Sequence, residues 1–224
     1  MENNNSTPVK RKILTKVDIL TAGLCLIGCL PGLICWKDMP EQIPMHWGID
    51  NQPNAWGSKI FVFLGLPLMM AALHLLCCAA DNFAAASAAT HPKAVKRIVR
   101  LIIPVITIVI ECITVRYVMH LMTDIGLAVC LMMGVMLIVL GNYLPKSRPN
   151  RTFGIKLPWT IADEDVWRKT HRLGGWLYII GGVILIAAAF FRAYIVGIVI
   201  MFIVVLVPVV YSFIISKRPR NKDN

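Results

Sequence analysis

Charged residues are scarce in this 224-residue chain: Asp, Glu, Lys and Arg make up 16% of it, against 57% hydrophobic residues. That balance excludes an ordinary soluble domain. Catalytic signatures are missing as well, with no Gly-rich phosphate loop, nucleophile elbow or HExxH pair. The sequence therefore points to a protein that is not an enzyme and needs no cofactor. The seven cysteines (Cys25, Cys29, Cys35, Cys77, Cys78, Cys112 and Cys130) lie in or beside apolar runs, where the thiol behaves as a small apolar group. Their odd number argues against a disulfide framework. No ligand-rich cluster accompanies Cys25 and Cys29, so no metal centre is expected. The first apolar run is too long for a cleavable signal peptide, contains Pro31 and lacks a small-residue cleavage site.

What the chain does have is apolar length. Six runs, at roughly 17–36, 60–80, 98–119, 125–144, 174–191 and 194–216, reach the ~18 residues that cross a bilayer as a helix. The expected fold is an all-α polytopic membrane protein with six transmembrane helices. Its net charge of +11 raises nucleic acid as a partner, but the placement of that charge excludes it. Of the 23 basic residues, 19 fall before the first run, between the second and third, between the fourth and fifth, or after the sixth. The positive-inside rule then puts both termini and the 142–172 loop in the cytoplasm. Membrane lipids are the expected surroundings, and direct nucleic-acid binding is not expected.

This divides the chain into a polar and basic N-terminal segment (1–16), two helices with an external loop at 37–59 (17–80), a cytoplasmic connector (81–97), a helix pair (98–140), a motif-bearing region (141–216) and a basic tail (217–224). Pro31 should kink the first span, a distortion that neighbouring helices accommodate. In the external loop, Pro40, Pro44 and Pro53 bias their predecessors toward extended backbone, and Gly48, Asp50, Asn51, Asn54 and Gly57 form turns. Two short extended segments joined by a turn are expected, with Trp47 and Trp56 at the headgroups. The loop reads either as an interfacial cap or as an outward recognition surface. His46 has no second His or Cys near it in sequence, which weakens a metal role.

Glu111 and His74 are ionisable residues inside spans. A charge there costs on the order of 3 kcal/mol, so each is a functional candidate by default. They read as interhelical hydrogen-bonding groups, possible partners of each other, or as part of a transport or catalytic site.

The stretch 141–175, GNYLPKSRPNRTFGIKLPWTIADEDVWRKTHRLGG, is the one long polar interval that looks specified. Thr160 has N-cap chemistry with Asp163 three residues on, as in a capping box. Acids crowd the first turn and bases the last, and Glu164–Arg168 and Asp165–Lys169 are favourable i,i+4 pairs. A short amphipathic helix over 161–172 is expected, leading through Gly174-Gly175 into the fifth span, with Trp167 and His171 on one face. It reads either as an interfacial helix anchored by Trp167, with its bases on lipid phosphates, or as a cytoplasmic docking surface.

This stretch resembles the signature of the SdpI family of bacterial toxin-immunity membrane proteins. The residues carrying the resemblance include Gly141, Asn142, Lys146, Pro149, Asn150, Gly154, Ile155, Pro158, Trp159, Thr160, Trp167, Thr170, His171, Arg172 and Gly174. Lys156 and Leu157 stand where that signature has Arg-Thr, and Lys loses the bidentate geometry of Arg. The outer loop resembles the uncharacterised domain that often precedes the signature, through Pro44, His46, Trp47, Pro53, Asn54, Trp56, Gly57, Ser58 and Lys59. The resemblance implies a six-span plasma-membrane protein that protects its producer from a secreted peptide toxin and holds a cytoplasmic transcriptional repressor at the membrane. The expected recognition set is Pro44, His46, Trp47, Trp56 and Lys59. The expected cytoplasmic set is Asn142, Lys146, Asn150, Arg151, Lys156, Trp159, Glu164, Trp167, His171 and Arg172. Two other readings remain at this stage: a small transporter or membrane enzyme acting on a lipid-like or peptide substrate, and a scaffold without activity.

Overall fold

The structure, a computed structural model, describes residues 13–84, 93–122, 124–150 and 153–218. Expectations for residues 1–12, 85–92, Arg151 and 219–224 lie outside the described residues. Among those described, six helical stretches are long and apolar enough to cross a membrane: Lys16–Ile34, Phe61–Phe83, Ala94–Val118, Ile125–Lys146, Glu164–Phe190 and Tyr194–Ser216. The protein is a polytopic helical membrane protein.

Prolines shape the first two spans. Pro31 has no N–H to offer the Ile27 carbonyl one turn back. The first span accordingly divides at Gly28 into α1 (Lys16–Ile27) and α2 (Cys29–Ile34). The second span opens with a wide π turn, Phe61–Gly65, before α3 (Leu66–Ala84). There the Leu66 N–H reaches back to the Phe61 carbonyl, one residue before Pro67. The remaining long helices are α4 (Lys93–Val118), α5 (Ile125–Tyr143), α7 (Glu164–Phe190) and α8 (Tyr194–Ser216). Within the 81–97 connector, the described residues 81–84 and 93–97 belong to α3 and α4.

The helices pack as two groups. α1, α3 and α4 pack on one another, and α7 packs along both α5 and α8. Paired glycines set the α5–α7 approach. A Cβ at Gly134 would stand 2.9 Å from the Gly182 carbonyl oxygen, and one at Gly141 would stand 2.7 Å from that of Gly175. Small residues at these crossings let antiparallel backbones touch where lipid supplies no hydrophobic drive. Gly181, on the neighbouring face, receives Val204 and Ile200 of α8.

The loop after the first span forms the expected hairpin. Strands β1 (Gln42–Trp47) and β2 (Pro53–Ser58) pair antiparallel, with irregular register around His46. Asn51 takes a positive φ of 65° in the turn. Beneath the hairpin, Met39 and Ile43 pack with Val62, Phe63 and Val115, which seats it on the helices.

A single carboxylate ties the hairpin to the second helix group. Asp124 Oδ1 accepts from the Leu127 N–H at 3.0 Å, Asn51 Nδ2 at 2.7 Å and the Tyr194 hydroxyl at 2.6 Å. Arg192 Nε lies 3.3 Å from Oδ2, and the Asn51 side chain in turn accepts from the Gly126 N–H at 2.7 Å. Burial opposes the charge, but these donors and Arg192 outweigh it and hold the Asp124 carboxyl below the ordinary carboxylate value. A depressed folded pKa stabilises the fold above the unfolded value near 3.9, and the contribution fades as pH falls through the folded value. Asp124→Asn should therefore cost about 2 kcal/mol at neutral pH. In thermal unfolding, its deficit against the parent chain should shrink below about pH 4. A deficit that stays constant to pH 3 would contradict this role.

Candidate functional site

The hairpin divides its candidate recognition residues between two jobs. Pro44 is buried, opposite Trp56 in the strand pairing. Lys59 closes the base, 2.7 Å from Glu41 and over the Trp36 ring at 5.1 Å. Trp47 packs edge-on against Tyr117 of α4, ring centres 5.3 Å apart. These three hold the hairpin in place. His46 and Trp56 face outward, and the His46 Nδ1 meets the Asn54 side-chain oxygen at 2.6 Å. Met45 and Ile49 are exposed on the same hairpin.

Inside the first helix group, His74 and Glu111, possible partners by sequence, do not pair. His74 Nε2 lies 2.8 Å from the Thr21 hydroxyl and 3.4 Å from the Cys78 thiol. Glu111 sits elsewhere, its side chain against the Gly28 break and near Cys29. It is 2% exposed, and its Oε2 has no hydrogen-bond partner among the described residues. Asp18, which the sequence reading missed, is held by several neighbours in the first group. Fully buried, its Oδ2 accepts from the Thr15 N–H at 2.8 Å, the Thr15 hydroxyl at 2.7 Å and Asn82 Nδ2 at 2.8 Å. The Arg100 guanidinium pairs with Oδ1 at 2.7 Å. A buried charge persists only when paired and hydrogen-bonded in this way. The signal was available: Thr15 and Asp18 have capping-box spacing at the start of an apolar run.

The 141–175 stretch folds differently from expectation, and the difference concerns who caps whom. Thr160 does not begin a helix. Its hydroxyl accepts from the Leu157 N–H at 2.9 Å and donates to the Ile155 carbonyl at 2.8 Å, inside the short α6 (Pro158–Ala162). Asp163 caps instead, its Oδ1 accepting from the Asp165 and Val166 N–H groups at 2.9 and 3.2 Å. α7 then runs unbroken through Gly174-Gly175, so the fifth span and the amphipathic helix are one element. The Asp165–Lys169 pair forms at 2.6 Å, whereas Arg168 also chooses Asp165, at 2.6 Å, in place of Glu164.

Trp167 and His171 do share a face of α7, but it is the inner one. Trp167 is 1% exposed and His171 0%, which removes the interfacial anchor and rules both out as docking residues. Their rings stack at 3.9 Å. Trp167 Nε1–H donates to the Ser147 carbonyl at 2.9 Å. The Ile155 N–H donates to His171 Nε2 at 3.0 Å, so Nε2 is the acceptor and Nδ1 carries the proton toward the Trp167 carbonyl, 2.8 Å away. Gly154, at φ +118°, lets the backbone pass over the imidazole, where a Cβ would collide with Nε2. Asn150 repeats the theme. It accepts from the Phe153 N–H at 2.7 Å and donates to the carbonyls of Arg148 and Phe153 at 2.6 and 3.0 Å. Trp159 Nε1–H reaches the Ser212 hydroxyl of α8 at 2.9 Å.

The candidate cytoplasmic set thus splits. Asn150, Trp167 and His171 are buried and satisfy loop backbone, and Trp159 is half-buried. Asn142, Lys146, Lys156, Glu164 and Arg172 are exposed. Phe153 carries the loop across to the first helix group, packing with Val95 and Leu144. No group of three or more His, Cys, Asp or Glu side chains gathers to hold a metal among the described residues.

Fold and site define a six-span membrane protein with an anchored hairpin at one end and a loop latched into the bundle at the other. The comparisons agree with that class. Residues 146–212 match the SdpI/YfhL protein family, and residues 23–71 match a domain of unknown function, DUF1648. The carboxyl-terminal part of the chain is thus similar to the SdpI family. It is 25% identical to the immunity protein SdpI of Bacillus subtilis (strain 168) over 209 residues, covering 93% of this chain and 98% of that protein. No solved structure matches it.

The latch makes a specific demand on two residues. Gly154→Ala should lower stability by at least about 1 kcal/mol, since Ala is strained at positive φ. Trp167→Phe should cost about 1–3 kcal/mol by leaving the Ser147 carbonyl without its donor. Lys146→Ala, exposed in the same region, should stay within about 0.5 kcal/mol in the same thermal-unfolding series. Equal behaviour of the three variants would contradict the latch.

Proposed function

We propose that this protein protects its bacterium from a secreted, membrane-active peptide toxin and does so without catalysis. Alignment with an immunity protein along nearly the whole of both chains carries this reading. The hairpin supports it, because its anchored base holds His46 and Trp56 out as a fixed surface suited to an amphipathic peptide. The charge distribution supports a location in the plasma membrane with both termini and the 142–172 loop inside and the hairpin outside. In this arrangement, exposed Asn142, Lys146, Lys156, Glu164 and Arg172 offer a cytoplasmic face to a transcriptional repressor.

A second reading, a small transporter acting on a lipid-like or peptide substrate, is favoured by one observation: a buried Glu111 carboxyl at a helix break, with one oxygen unpartnered among the described residues. Expression in a sensitive bacterium should raise survival against a cognate peptide drawn from a panel of membrane-active bacterial peptides. His46→Ala and Trp56→Ala should reduce the gain while membrane levels stay unchanged, and a reporter fused after Asn150 should be active inside the cell. Glu111→Gln should leave protection intact, whereas loss of protection on that change would favour transport. Absence of protection across the panel would overturn the immunity reading.

A further inference from the structure

A groove of about 450 Å³ lies where the two helix groups meet beside the latched loop. Val99 and Ile103 of α4, Leu140 of α5 and Phe153 of the loop give it an apolar wall. Arg100 and Lys156 bring cationic side chains to the same groove, one from each half of the protein. Arg100 lies seven residues along α4, about 10 Å from its start at helical rise, near one end of the third span. Its bond to Asp18 engages one guanidinium nitrogen, and a guanidinium carries five N–H donors. Lys96 and Arg97 border the neighbouring cleft that also includes Arg100. Asp81 also lines the groove, 3.8 Å from Lys96, and Asp18 pairs with Arg100, so Lys96, Arg97, Arg100 and Lys156 gather four cations around two carboxylates.

We infer that this groove is a binding site for an anionic phospholipid, its phosphate between Arg100 and Lys156 and an acyl chain along Val99, Ile103, Leu140 and Phe153. The charge excess selects the occupant. A zwitterionic lipid would set its cation against Arg100 and Lys156, and a free anion would leave the apolar wall bare. Basic pockets between transmembrane helices take anionic headgroups for the same reason. The lipid would bridge the two helix groups at a place where direct helix contact is sparse. The inference rests on the groove alone and holds whether or not the immunity reading does.

The test is thermal unfolding of the full chain in detergent with added dioleoylphosphatidylglycerol, dioleoylphosphatidylcholine or inorganic phosphate. Phosphatidylglycerol should raise the midpoint by several degrees and saturate, and the other two should not. Lys156→Gln should weaken the apparent affinity about fivefold. Ile103→Trp, which fills the groove while leaving every cation in place, should abolish the shift. Lys217→Gln, an exposed charge outside the groove, should change neither. The site is overturned if phosphatidylcholine stabilises equally, if inorganic phosphate alone reproduces the shift, or if Lys156→Gln behaves like Lys217→Gln.

Discussion

A backbone amide or carbonyl buried away from water must find its partner within the protein. This constraint organises the structure. The 147–160 segment is neither helix nor strand for most of its length, yet it folds into the end of the helix bundle. It does so because side chains of α7 and of the loop itself take its amides and carbonyls one by one. Trp167 takes the Ser147 carbonyl, His171 the Ile155 amide, Asn150 the Phe153 amide, and Thr160 the Leu157 amide and the Ile155 carbonyl. The hairpin at the other end meets the same constraint with its own ladder and with Asp124, which gathers the turn, α5 and the start of α8 on one oxygen.

Seen this way, the residues that make the 141–175 stretch look specified divide into two populations. The buried ones fix the loop, and the exposed ones are set at known positions by it. A fixed loop also brings Phe153 and Lys156 to α3 and α4, which is how the carboxyl-terminal region contributes to a groove it shares with the amino-terminal one. Rigid placement of exposed groups is what a recognition surface requires at either end of the molecule.

Much of the fold was legible in the residues. Apolar run lengths gave the six spans, proline and turn chemistry gave the hairpin, and Pro31 gave the break in the first span. The helix ends were less legible. Thr160 and Asp163 both have capping chemistry, and only the loop decides between them, since the Thr160 hydroxyl is drawn to Ile155 and Leu157. Trp167 and His171 were correctly put on one face of one helix, but periodicity cannot say whether that face looks at lipid or protein. The Asp18–Arg100 pair spans 82 residues of sequence, and Arg100 read as one more positive-inside charge. Glu111 was recognised as an ionisable group inside a span, but its neighbours at Gly28 lie on another helix, which no local pattern can name.

The account's central claim, that the 147–160 segment is latched and not an open loop, is tested most directly by hydrogen exchange of its amides in the intact protein. The amides of Phe153, Ile155 and Leu157 should exchange as slowly as those at the ends of α7 and α8. Exchange of these three at the rate of an unstructured peptide, with the helices still protected, would contradict it.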